Sequence, residues 1–385
     1  MGNRDLEPRV RARLEDLANT QLLRTLQAPS GKDFSSNDYL GLAASKQLHD
    51  AMILGVQKEG CGSTGSRLIR GEREAFQSVE LHFAKFKEAE RALYFSSGYL
   101  ANLAVLTTFP EDGDIVFSDE LNHASLIDGT RLSYADCVVF PHNDVPALSR
   151  LMHQHRGEGR IFVLVESIFS MDGDEAPLAE YAQLCRDQGA CLMVDEAHAV
   201  GIYGERGSGL IEEIGIQADV FLSVNPAGKA LGVSGAFVAG PDWAIEYLVQ
   251  KARTFIFSTA SLPATAWALE ASLTYVTSGT EIRKRLIRSA GLLRERLLEA
   301  GIFVKNGRSQ IVPIIIGSNE RAVVVANLLQ ARGFDVRAIR PPTVAPGTAR
   351  LRVTVNAGIS DETIDSFVSA LVDALKNEKC TAVSS

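Results

Sequence analysis

The sequence predicts an α/β protein, a large domain with a mostly parallel central sheet covered by helices and then a smaller α+β C-terminal domain. Three observations carry that expectation. A chain of 385 residues exceeds what a single hydrophobic core usually serves, so it should divide into domains. Between about Ser45 and Thr259, apolar runs of strand length alternate with helix-length segments, the pattern of strands buried on both faces. Further on, apolar runs and amphipathic helices follow in an order that suits a smaller mixed layer.

The elements follow in chain order. Val10, Leu14, Leu17, Leu22 and Leu23 recur near helical spacing and predict a helix from Pro8 to about Leu26, leading into Phe34-Ser35-Ser36; residues 1–44 are read as this helix and arm. The large domain, residues 45–275, carries the runs Ala92–Phe95, Ile115–Phe117, Cys137–Phe140, Ile161–Val165, Cys191–Val194, Val220–Val224 and Ala236–Val238. A long helical region spans about Leu262 to Ala300. The small domain, residues 276–385, continues with the run Ile311–Ile316, a helix near Arg321–Arg332, the run Leu351–Val355 and a helix near Asp361–Leu375.

Composition narrows the function classes. The chain is 46% hydrophobic and 22% charged, ordinary for a folded enzyme and unlike a disordered chain. Lys plus Arg number 39 against 47 for Asp plus Glu, a net charge of −8 that favours neither a nucleic-acid nor an anionic-membrane partner. The cysteines, Cys61, Cys137, Cys185, Cys191 and Cys380, are scattered and form no C-x-x-C pair. They read as reduced thiols, not as a disulfide framework or metal site. With no apolar stretch near the length of a membrane span and no signal-peptide pattern, the expected location is cytoplasmic.

Two stretches hold candidate chemistry. In VDEAHAVGIYGERG, an apolar run ends directly in Asp195, Glu196 and His198, and ligands of open α/β sheets bind beyond the carboxyl ends of strands. DEAH alone resembles a helicase motif, but no G-x-x-x-x-G-K-[ST] loop accompanies it. Capping of a helix or strand is the plainer reading of Asp195 and His198. In NPAGKALGVSGA, Lys229 lies among Gly228, Gly232 and Gly235, so backbone can approach a planar ligand closely. A solvated surface lysine is the plain alternative; a partly buried one beside Asp and His suits Schiff-base chemistry.

From Asn37 to Thr354 the chain resembles the α-oxoamine synthases, a family of pyridoxal-phosphate (PLP) enzymes of fold type I. The matching pieces run in the family's order: FSSNDYLGL (Phe34–Leu42), GSTGSRLIRG (Gly62–Gly71), FSSGYLAN (Phe95–Asn102), DELNHASLIDG (Asp119–Gly129), ESIFSMDGDEAPL (Glu166–Leu178), VDEAHAVGIYGERG, GKALGVSGA (Gly228–Ala236), FIFSTASLP (Phe255–Pro263) and RPPTVAPGTARLRVT (Arg340–Thr354). The RPPTV segment leans toward the family's biotin-pathway member.

The resemblance implies roles. Lys229 is the Schiff-base lysine and later the acid and base at the substrate Cα; Asp195 pairs with the pyridine nitrogen; His198 and Ser170 bond the ring's phenolic oxygen; His123 stacks on the ring. Gly98 and Tyr99 hold the phosphate at a helix start. Ser258 and Thr259 reach the phosphate bound by the neighbouring subunit, making the active unit a homodimer. Arg350 binds the amino-acid carboxylate, with Asn37 near the same substrate, and Arg340 is a substrate-binding candidate in a basic entrance for the anionic thioester. The implied reaction joins L-alanine to a pimeloyl thioester of coenzyme A or a carrier protein, with decarboxylation, giving 8-amino-7-oxononanoate. A relative that condenses another amino acid with another acyl group, such as glycine with acetyl, is the alternative within the family.

The chain departs from the family pattern in places. Pro226 stands where a phosphate-binding Thr is usual, Phe76 where a His is common, and Ala199-Val200 where Gly-Thr usually follows the histidine. Proline offers neither hydroxyl nor N–H, so Ser223 or Asn225 would have to substitute. This departure also raises a rival reading, a cofactor-poor homologue kept for binding.

Overall fold

A computed structural model describes residues 6–155 and 159–381, with side chains as far as residue 376; the Cys380 side chain lies outside this set. The chain divides into two compact units, one of Met1–Ser36, Met171–Gly173 and Arg285–Ser385, the other of Asn37–Ser170 and Asp174–Lys284.

The larger unit is built on a seven-stranded sheet. Its strands are β1 (Arg91–Phe95), β2 (Ile115–Asp119), β3 (Asp136–Phe140), β4 (Ile161–Glu166), β5 (Cys191–Asp195), β6 (Val220–Pro226) and β7 (Ala236–Gly240). They lie in the order β1-β7-β6-β5-β4-β2-β3, with β7 antiparallel to both neighbours and the other pairs parallel. Each coincides with an apolar run of the sequence. On one face, Leu93, Phe95, Leu164, Met193 and Val238 pack on the helices Gly98–Leu106 and Asp242–Lys251 through Ala101, Val105, Ile245 and Leu248. Each of these side chains larger than alanine contributes about 1.5–3 kcal/mol by leaving water. Elsewhere in the unit Phe83 stacks on Phe237 at 4.1 Å.

Because β2, β4, β5 and β6 run parallel, their carboxyl ends share one edge of the sheet, and the polar residues Asp119, Glu166 and Asp195 terminate there. This edge is where an open α/β sheet binds ligands. The helical region after Leu262 is two helices, Ala264–Ser278 and Thr280–Glu299, because Gly279, a poor helix former, interrupts the ladder.

The smaller unit holds a three-stranded antiparallel sheet of β8 (Ile311–Gly317), β9 (Ala338–Ile339) and β10 (Ala349–Thr354), in the order β9-β10-β8. The helices Asn319–Ala331 and Asp361–Thr381 belong to the same unit. Lys32–Asp33 pairs in parallel with Phe334–Asp335, and Phe34 stacks on Phe367 at 4.3 Å. The N-terminal helix is shorter than its leucine spacing predicts. It covers Leu6–Asn19, and Gln21 then takes a left-handed φ of 56° that ends it before Leu22 and Leu23. Among the described residues no helix is long and apolar enough to cross a membrane.

Candidate active site

Lys229 sits in a tight loop between the antiparallel neighbours β6 and β7. The loop is closed by Gly232 N–H donating to Lys229 O (2.9 Å), Val233 N–H to Ala227 O (3.1 Å) and Ala227 N–H to Gly235 O (2.8 Å). Two of its glycines are required. Gly232 has φ +68° and a Cβ there would lie 2.7 Å from Ala43 N; Gly235 has φ +100° and a Cβ would meet the Tyr94 hydroxyl at 2.1 Å. The loop thus presents a half-buried amine, Lys229 Nζ, 3.1 Å from His198 Nε2.

His198 is buried and reaches the Tyr39 hydroxyl through Nδ1 at 2.7 Å, and Tyr39 donates in turn to Asn37 Oδ1 at 2.9 Å. With the hydroxyl proton committed to Asn37, the hydroxyl accepts from His198 Nδ1–H, which leaves the Nε2 lone pair facing the amine. Tyr39 has no role assigned by sequence, although it falls within FSSNDYLGL.

Asp195 closes β5 and is 5% exposed. Its Oδ1 accepts from Ala197 N–H and its Oδ2 from Asn102 Nδ2, both at 2.8 Å. Asn102 also donates to Ser125 Oγ at 2.9 Å, and Ser125 Oγ lies 2.8 Å from His123 Nδ1. Burial holds the His123 ring below its ordinary pKa; Asp195 pulls the other way, and Lys229 adds to the depression. Asn102 and Ser125 are not distinguishable as site residues in the sequence, since buried Asn and Ser beside helices usually cap or pack.

The remaining residues of this unit take these places. Gly98 and Tyr99 open the helix Gly98–Leu106, ahead of its first internal donor, Ala101 N–H to Ser97 O, so their N–H groups have no helical acceptor and suit an anion. Ser170 is buried in the loop after β4. Ser258 and Thr259 line a surface cleft with Arg67, Phe76 and Ser96. Pro226 packs over the helix start, where a Cβ on Gly98 would lie 2.6 Å from its Cγ. The candidates to replace its missing hydroxyl bond each other, Asn225 Nδ2 donating to Ser223 Oγ at 3.0 Å. Phe76 stacks on Tyr94 at 5.7 Å and lies under the Arg67 guanidinium.

Arg350 and Arg340 belong to the smaller unit. Arg350, on β10, donates through Nη1 to Asp172 Oδ1 at 2.8 Å and through Nε to Thr348 O at 3.1 Å. Arg340 donates to Gln21 O and shares a cleft with Arg24, Gln27 and Arg337.

Two sets of paired charges, one fully and one partly buried, escape sequence reasoning. Lys87 pairs with Glu196, the residue after Asp195, with both side chains at or below 3% exposure; Lys87 also donates to Ser208 O at 2.8 Å. His142 lies between Asp119 Oδ1 (2.9 Å) and Asp174 Oδ2 (2.8 Å). Each partner is distant in sequence, so only the fold brings the charges together.

The donor set fits PLP. It offers a primary amine for an aldehyde, a buried carboxylate for a protonated ring nitrogen, and helix-start N–H groups for a phosphate.

Comparison with known proteins supports the same chemistry. The family described as aminotransferase class I and II matches residues 31–371. An 8-amino-7-oxononanoate synthase of Geobacter sulfurreducens is 42% identical over 377 residues, covering 94% of this chain and 96% of that protein. Among solved structures, SPT with PLP superposes with a TM-score of 0.92 at 27% identity, covering 98% of this chain and 100% of the other. An 8-amino-7-oxononanoate synthase of Francisella tularensis gives a TM-score of 0.79 at 30% identity, covering 91% of this chain and 99% of the other.

Proposed function

The chain belongs to the class I and II aminotransferase family, and on that premise we propose that it is a PLP-dependent acyltransferase that condenses L-alanine with a pimeloyl thioester, with loss of CO2, to give 8-amino-7-oxononanoate for biotin synthesis. The observation that carries the reading is the meeting of Lys229 Nζ and His198 Nε2 at 3.1 Å, in the unit whose strand β5 ends in the hydrogen-bonded Asp195 carboxylate.

Lys229 would hold the cofactor covalently, Asp195 would keep its ring nitrogen protonated, Gly98 and Tyr99 would take its phosphate, Ser170 and His198 would bond its phenolic oxygen, and His123 would cover the ring. When bound, PLP supplies the electron sink that makes a carbanion at the alanine Cα accessible. The chain's own residues move the protons. The Lys229 amine would take the Cα proton of the bound alanine. The alanine Cα would then bond to the acyl carbon, the C–S bond would break to release a thiolate that takes a proton from water, the carboxylate would leave as CO2, and Lys229 would return its proton to Cα. Arg350 binds the alanine carboxylate, with Asn37 and Arg340 near the substrate. Ser258 and Thr259 serve the phosphate site of a second copy, so the working unit is a homodimer.

The test is spectroscopic and chemical. PLP added to the purified protein gives a visible absorbance band that Lys229→Ala abolishes, and L-alanine with a pimeloyl thioester releases thiol and CO2 in equal amounts. A protein that gains no band, or releases no thiol with alanine, overturns the reading.

A further inference from the structure

We propose that Asn102 and Ser125 are positioning residues that tie Asp195 to His123 and lock the His123 ring as a neutral imidazole with its proton on Nε2. The inference rests on the reading of Asp195 and His123 as cofactor contacts; the bond chain itself stands on distances within one compact unit.

Two fixed donors, the Asn102 amide and the Ser125 backbone N–H, set the direction of the bonds. The Asp195 carboxylate only accepts, so Asn102 must present Nδ2 to Oδ2 at 2.8 Å. The second Nδ2–H goes to Ser125 Oγ at 2.9 Å, so that hydroxyl is an acceptor there and has one proton left to give. Its other neighbour is His123 Nδ1 at 2.8 Å, and the Ser125 backbone N–H points at the same nitrogen at 3.2 Å. A ring nitrogen that receives two donors carries no proton of its own. His123 is therefore the Nε2–H tautomer, and protonating Nδ1 would set that proton against the Ser125 backbone N–H, which cannot turn away.

Burial makes the arrangement binding on the chain. Asn102 is 2% exposed and Ser125 1%, so water does not replace a lost partner. The charged groups facing the ring are Asp195, Lys229 and Asp128, the two carboxylates favouring an imidazolium and the lysine opposing it. The two donors to Nδ1 act on Lys229's side. A neutral ring adds no positive charge against a protonated pyridine nitrogen, and its one N–H is left for a partner beyond the network. Alanine at position 125 would keep the packing while leaving Asn102 Nδ2 and His123 Nδ1 each short of a bond.

The experiment reads the histidine directly. Nitrogen NMR of the histidine-labelled apoprotein should show His123 Nδ1 unprotonated and Nε2 protonated across about pH 5.5–8, the range in which an ordinary histidine titrates. Ser125→Ala should raise the His123 protonation midpoint by about one pH unit, a tenfold change in proton affinity, and populate both tautomers. Ser125→Thr, which keeps the hydroxyl, should restore the wild-type pattern. In the PLP-loaded protein the pH midpoint of the cofactor band should move with Ser125→Ala and return with Ser125→Thr. A wild-type ring protonated on Nδ1, which needs no variant to observe, overturns the proposal, as does a Ser125→Ala protein with an unchanged midpoint. Apoprotein that shows the locked tautomer but takes up no PLP overturns the functional reading and leaves the network standing.

Discussion

Glu166 and Asp195 are in-register neighbours on the parallel strands β4 and β5, two carboxyl groups side by side at the carboxyl edge of the sheet. Asp195 has a donor on each oxygen, whereas Glu166 is 2% exposed and, although backbone N–H groups of His123 and Ser170 reach its carboxyl, its Oε1 has no hydrogen-bond partner. Adjacent buried carboxyls do not both ionise easily, and here Glu166 is the one that keeps its proton.

Glu166 therefore predicts a pH-dependent stability. Burial, reinforced by the Asp195 charge and opposed by Lys229, pushes its pKa up to about 8. An unfolded chain releases that proton near pH 4.3, so between about pH 4.3 and 8 the folded state holds a proton that the unfolded state lacks. The contribution is full below that window, falls by about 1.4 kcal/mol per pH unit across it, and is gone above about pH 8. Urea midpoints of the apoprotein measured across the window should show this slope, and Glu166→Gln should remove it.

His142 gives a second slope in a higher window. Burial disfavours its charged form, but the bonds to Asp119 and Asp174 outweigh that and push its pKa up to about 9. The unfolded value is near 6.5, so the stabilisation is full below about pH 6.5 and is lost as pH rises through 9. His142→Gln should destabilise the protein at pH 6 by about 2–3 kcal/mol and by much less at pH 10, because the ion pairs exist only with the protonated ring. An equal loss at both pH values would mean that packing, not charge, holds the ring.

The positions of the strands were legible because a buried strand needs a continuous apolar run, and each large-sheet strand has one. Their ends were not. β2, β4 and β5 continue into Asp119, Glu166 and Asp195, since the backbone ladder extends one or two residues past the last apolar side chain. Leu22 and Leu23 kept helical spacing beyond the true stop because a left-handed Gln21 leaves no hydrophobic signature. In the site, Lys229, Asp195 and His198 stand out because they close apolar runs or sit among glycines. Asn102, Ser125, Tyr39, Glu166 and Lys87 do not, because their importance comes from partners that only the fold supplies.

Pro226 predicts a gain of function. It lies over the start of the helix Gly98–Leu106 and offers no donor, while Ser223 and Asn225 are bonded to each other. Pro226→Thr would add a hydroxyl beside a phosphate held by Gly98 and Tyr99. One hydrogen bond to a charged group is worth about 1.5–3 kcal/mol, so PLP affinity should rise roughly ten- to a hundredfold in an absorbance titration. An unchanged affinity would place the phosphate away from this helix start.

Arg350 and Asp172 make the last case. The guanidinium is 8% exposed in its side chain and already bonds a carboxylate, Asp172 Oδ1 at 2.8 Å, with Thr348 O holding Nε. If Arg350 receives the alanine carboxylate, the substrate competes with Asp172 for the same donors. Arg350→Lys loses the planar fork and should raise the KM for alanine about ten- to a hundredfold, the value of one or two charge-assisted bonds. Asp172→Asn weakens the competitor while keeping its shape, and should lower that KM by about two- to tenfold with kcat nearly unchanged, the pattern of a change in ground-state binding. The two variants thus move one constant in opposite directions, which a general loss of stability would not do. An Arg350→Lys protein with a wild-type KM for alanine would assign the carboxylate to a different residue.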